Sequence, residues 1–139
     1  MTDDQIKLVK KTWRLIRQVD PLMVGDLFYS KLFADTPQLR KMFPRKMDEQ
    51  YRKLTDMLNA IIARLEKPGE LNIEIIEMAR RHNGYGVRPA HYKLVGTALL
   101  WTLQQGLGND WTPEVKEAWI KCYTTVSATM IDASALQHK

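Results

Sequence analysis

The stretch DEQYRKLTDMLNAIIARL, residues 48–65, decides how the whole chain is read. Leu54, Met57, Leu58, Ile61, Ile62 and Leu65 recur at three- and four-residue intervals, which lines them up along one side of a helix. A half-buried strand would need apolar and polar residues to alternate, and they do not. Gln50 departs from the pattern: it stands four residues before Leu54 on the same face, where an aliphatic residue would be cheaper to bury. It is either a partly exposed first-turn residue or a polar group turned inward.

The same periodicity continues on both sides. Toward the N-terminus, Thr36-Pro37 opens a short helix, and Asp20-Pro21 caps and starts a helix running to about Ala34. Thr2 and Gln5 form a capping-box start to a first helix with Ile6, Val9, Trp13 and Ile16 on one face. Toward the C-terminus, Pro68-Gly69 ends the long helix and the next runs from about Glu70 to Asn83. Gly84 and Gly86 stop that one, and Pro89 restarts the chain as a helix to about Leu107. Thr112-Pro113 opens the last, with Val115, Trp119, Cys122, Val126 and Met130 inward. The pattern predicts an all-α chain of seven or eight helices forming one domain over residues 1–139. Only residues 43–47 look loosely structured, and such a loop would flank a pocket.

Composition narrows the function classes. A chain that is 45% apolar and 27% charged is an ordinary globular protein. The net charge of +5 comes from scattered pairs such as Lys10-Lys11, Arg40-Lys41, Arg45-Lys46, Arg52-Lys53 and Arg80-Arg81, and no groove-reading motif accompanies them. No nucleic-acid partner is therefore expected. One cysteine, no secretory signal and no apolar run of about 20 residues predict a cytoplasmic protein without a membrane span. Cys122, beside Trp119 and Tyr123, reads as core filling.

Of the three histidines, His82 stands out because it follows Ile75, Met78 and Ala79 at spacings of seven, four and three. Its ring points along an apolar face, as a core histidine bonded to a backbone carbonyl or as a metal ligand. Neither His-x-x-Glu-His nor Cys-x-x-Cys accompanies it, so a metal there would take its other ligands from a macrocycle. Tyr29, between Phe28 and Phe33, is a core tyrosine or a second inward polar group.

In order, the chain carries Leu27-Phe28-Tyr29 with Leu32-Phe33, Pro37, Phe43, Gln50 with Leu54, and Ala79-Arg80-Arg81-His82 with Tyr85-Gly86-Val87. His91-Tyr92-Lys93-Leu94-Val95-Gly96, Leu99-Leu100, and Ala118-Trp119 with Tyr123 follow. Over about residues 4–132 this series resembles the single-domain bacterial globins related to the haem domain of flavohaemoglobins and, more distantly, neuroglobin.

The resemblance implies a globin fold around one haem b, with His82 as proximal iron ligand and Phe43 wedged against the porphyrin. It implies Tyr29 and Gln50 as distal polar residues and Leu54 as the aliphatic group crowding the free iron site. Val87 and Tyr92 would lie on the proximal side, and His82 would give its second N–H to the carbonyl of Met78, one turn back. The expected ligand is O2, bound reversibly and tightly for storage, delivery or sensing, with NO and CO as further ligands. The alternative is nitric oxide dioxygenase activity with an external reductase. A lesser one is a six-coordinate haem redox protein closed by Lys46, Met47 or Lys53.

The sequence departs from the flavohaemoglobin pattern twice. A glutamate of the last helix is replaced by Ser134, and Asp132, two residues away, points to the opposite side, so strong O–O activation is not expected. Residues up to Lys139 hold no flavin or nicotinamide domain, so turnover would call on a separate reductant. The basic pairs between Arg40 and Lys53 are solvent-facing charge, or meet haem propionates or an acidic reductase.

Overall fold

The computed structural model describes residues 1–84 and 86–137, apart from the side chains of residues 83, 84 and 134–137. Tyr85 and the Ser134 side chain, used above, lie outside the described residues. Helix α1 (Asp3–Ile16) starts at the expected capping box: the Gln5 N–H donates to Thr2 Oγ1 at 3.1 Å and the Thr2 N–H to Gln5 Oε1 at 2.9 Å. Helix α2 (Pro21–Asp35) begins where the Leu22 N–H donates to the Asp20 carboxylate at 2.9 Å. A six-residue 3-10 helix, Pro37–Met42, follows. Then come α3 (Asp48–Ala63), α4 (Pro68–Gly84), α5 (Pro89–Leu107), a 3-10 turn at Gly108–Asp110 and α6 (Pro113–Gln137). Six α-helices and the longer 3-10 helix make seven, with no strand among the described residues.

Two boundaries differ from expectation. Helix α3 ends at Ala63 because its last turn tightens, Arg64 N–H donating to the Ile61 carbonyl at 3.0 Å; Leu65 stays buried all the same. Pro68 proves to be the first residue of α4, not a stop. Its missing N–H costs nothing at a helix start, and the Leu71 N–H already donates to the Lys67 carbonyl at 2.9 Å. Within α3, Met57 is only half-buried.

Helix α4 packs on α6, α2 lies against α3 and α5, and α1 lies across α6. The apolar faces meet in one core from Ile6 to Met130. Trp119, fully buried, gives its indole N–H to Thr12 Oγ1 at 2.9 Å, while Trp13 meets it edge-on and donates to Asn59 Oδ1 at 2.7 Å. No described helix is long and apolar enough to cross a membrane.

One contact positions the site. Where α2 meets α3, a Cβ on Gly25 would lie 2.3 Å from Tyr51 Cβ and 2.7 Å from Tyr51 Cα, so only glycine fits. The two backbones therefore approach as closely as they can, one turn from Tyr29 on α2 and one residue from Gln50 on α3.

Candidate functional site

Close approach of α2 and α3 brings two of the predicted polar residues together. Gln50 Nε2 donates to the Tyr29 hydroxyl at 3.0 Å, across 21 residues of sequence. Tyr29 is buried, at 5% exposure. Its ring stacks on Tyr51 at 5.7 Å and meets Phe28 edge-on at 4.8 Å and Phe43 at 5.3 Å. Burial pushes the phenol up to about 12, with the Gln50 hydrogen bond acting the other way, so Tyr29 carries its proton at neutral pH. Because the oxygen accepts from the amide, the proton is what the phenol has left to give, and no acceptor for it is found among the described residues. Leu54 is buried one turn further along α3.

Around Phe43 the structure adds residues the sequence reading did not single out. Phe33 packs on Phe43 at 5.4 Å and on Tyr29 at 5.9 Å. Tyr51 completes the cluster, its hydroxyl 3.5 Å from Asp26 Oδ1. A glycine on one helix and a bulky residue at the same level of another was the available signal for Tyr51, but pairing the two required the helix crossing. Arg40, grouped with the basic pairs, folds back onto the chain after Phe43.

His82 lies in the last turn of α4, half-buried, with Nδ1 2.8 Å from the Met78 carbonyl oxygen, as expected for a residue four places on. A carbonyl only accepts, so Nδ1 carries the proton and the basic lone pair belongs to Nε2. Burial holds the ring below the usual histidine range; the Met78 bond opposes that and Arg81 adds to it. The Val87 N–H donates to the His82 carbonyl at 3.2 Å, closing a turn in which Gly86 takes φ +81°. Tyr92 is buried on α5, its carbonyl accepting from the Tyr123 hydroxyl, and with Gly96 and Tyr123 it lines a groove between α5 and α6. His91 has a local task, accepting the Arg88 N–H at 3.0 Å at the start of α5.

Among the described residues no three His, Cys, Asp or Glu side chains converge on a point that would hold an ion without help. A histidine tethered at the end of one helix suits a metal whose remaining ligands come from a macrocycle, and the phenol–amide pair lies where two other helices cross.

Fold and site together define an all-helical domain of globin type. The globin family profile matches residues 26–130, and the chain belongs to that family, which implies a haem cofactor and a gaseous ligand. The flavohemoprotein of Bacillus subtilis is 28% identical over 129 residues, covering 91% of this chain and 32% of that protein. That of Xylella fastidiosa (strain Temecula1) is 31% identical over 134 residues, covering 94% and 33%. The chain thus spans about a third of the length of these relatives. A bacterial globin from Campylobacter jejuni superposes with a TM-score of 0.85 over 99% of both chains at 21% identity, a likeness of fold.

Proposed function

We propose that this chain holds haem b through His82 and binds a diatomic gas, foremost O2, beside Tyr29, Gln50 and Leu54. Haem bound there would supply an iron that takes up such gases reversibly and shares electron density with them. His82 provides Nε2, and the Met78 carbonyl fixes the ring's rotation. Phe43 would pack on the macrocycle, while Val87 and Tyr92 would line the histidine side. Leu54 would restrict the room left for a ligand, and the Tyr29 O–H would donate a hydrogen bond to the ligand while keeping its proton. The hydrogen bond from Gln50 to Tyr29 carries this reading, because it aims a neutral, buried phenol whose O–H is left to donate.

The test is an absorption spectrum of the purified protein supplied with haem, in ferric, dithionite-reduced and reduced-plus-O2 forms, repeated on His82→Ala. A five-coordinate ferrous band that shifts to a stable oxygenated form, with loss of haem in the variant, is expected. Failure of wild type to retain haem, or a His82→Ala protein with an unaltered spectrum, overturns the proposal.

A second reading is nitric oxide dioxygenation, NO and O2 giving nitrate with one electron per turn from a separate reductase. It draws on the flavohemoprotein likeness, and sustained, reductant-dependent NO consumption distinguishes it from simple binding. Closure of the iron by an internal ligand finds less support: Met47 is buried in the core and Lys53 lies exposed beside Glu49 at 3.9 Å. A six-coordinate ferrous spectrum without added ligand would restore that reading.

A further inference from the structure

Residues 43–47 form no helix or strand; the Met47 carbonyl accepts the Tyr51 N–H at 2.9 Å, while those of Phe43, Pro44 and Arg45 meet no backbone donor among the described residues and find partners elsewhere. One side chain supplies several. Arg40 Nη1 lies 3.3 Å from the Phe43 carbonyl oxygen and 3.0 Å from that of Pro44, and Nη2 donates to the Arg45 carbonyl at 3.1 Å. The same guanidinium sits 5.5 Å over the Phe33 ring, and Phe33 in turn packs on Phe43. The Arg40 carbonyl also accepts the Phe43 N–H at 3.3 Å, so Phe43 is held from both ends. Arg40 thus plugs three successive carbonyls and covers the aromatic ring behind them.

We propose that Arg40 is a positioning residue: it fixes the loop 43–47 and, through Phe43 and Phe33, the attitude of the Tyr29 ring. This deepens the proposed function and rests on it for what Phe43 and Tyr29 do. Arg40 acts through the loop. A planar fork can serve three carbonyls while lying flat on a ring, whereas a lysine ammonium is a single point and cannot do both. Charge alone is therefore not the property that matters. With the loop pinned, Lys46 and Met47 are kept to their own positions, Met47 in the core and Lys46 at the surface.

Arg40→Ala and Arg40→Lys test this by limited trypsin digestion and by the rate of haem loss to an excess of a haem-scavenging apoprotein. Cleavage after Arg45 and Lys46 reports the loop, and cleavage after Arg17, in the turn between α1 and α2, reports opening of the fold elsewhere. In Arg40→Ala, loop cleavage relative to Arg17 should rise about fivefold or more, and haem should leave faster by a similar factor. Arg40→Lys should behave like Arg40→Ala. Wild-type behaviour of Arg40→Lys, or unchanged loop cleavage in both variants, overturns the proposal. If Arg40→Ala raises cleavage everywhere, the lysine variant decides, judged by the same ratio. A wild-type chain that retains no haem sinks the proposed function, while digestion of the haem-free chain still decides the role of Arg40.

Discussion

Replacing Tyr29 with phenylalanine removes one oxygen and keeps the ring against Tyr51, Phe43 and Phe28, so it isolates the phenol's proton. A hydrogen bond to a charged acceptor is worth roughly 1.5–3 kcal/mol, and at 5% exposure little of that is screened away. Loss of the bond should speed O2 dissociation by roughly 10- to 150-fold. Gln50→Leu removes a neutral amide–phenol bond worth about 0.5–1.5 kcal/mol, which predicts a rise of only roughly 2- to 12-fold. If the amide acts by aiming the phenol, the double variant should release O2 no faster than Tyr29→Phe alone, within about twofold. Stopped-flow displacement of O2 by CO measures all three rates. With a Tyr29 phenol that ionises only near 12, the wild-type rate should be flat between about pH 7 and 10. A Tyr29→Phe rate within about twofold of wild type, or a Gln50→Leu rate faster than that of Tyr29→Phe, would refute the reasoning.

Three further outcomes are expected. Thr12→Val strands the fully buried Trp119 N–H and should lower stability to urea by about 1–3 kcal/mol, against under about 0.5 if the bond is incidental. Gly25→Ala should cost about 3 kcal/mol or more, since its Cβ meets Tyr51 backbone, whereas Gly69→Ala, with nothing within 4 Å, should be neutral or slightly stabilising; equal melting temperatures would contradict the crossing described. Burial lifts the Cys122 thiol to about 12, so it should resist alkylation at pH 8 in the native chain and react readily in urea, and fast native labelling would show the last helix packed otherwise.

Helices were legible where caps and periodicity agreed, as at Thr2–Gln5 in α1 and at Thr112 before α6. Pro68 was misread because the residue that forbids a helix from continuing also favours starting one, and only the neighbouring hydrogen bonds show which applies. The His82–Met78 bond could be anticipated, being a four-residue relation inside one helix. Periodicity alone could not give the contact between Gln50 and Tyr29, since it says which face a residue occupies and not which other helix that face meets; only the resemblance put the two on one side. Arg40 was hidden for a different reason. A charge beside a charge reads as solvated surface until the backbone's unsatisfied carbonyls are located.

The close approach of Gly25 to Tyr51 leaves the two helices no room to move together there, so a tilt of one against the other would turn about that point. A rocking motion about that point moves each residue in proportion to its arm. Tyr29 stands four residues away, about 6 Å along the axis, and Gln50 only one, whereas the far end of α3 at Ala63 stands twelve residues, or about 18 Å, out. A tilt of about 10° would shift that far end by about 3 Å and the phenol by about 1 Å. The Tyr29–Gln50 pair thus sits close to the helix crossing, where any such tilt displaces it least.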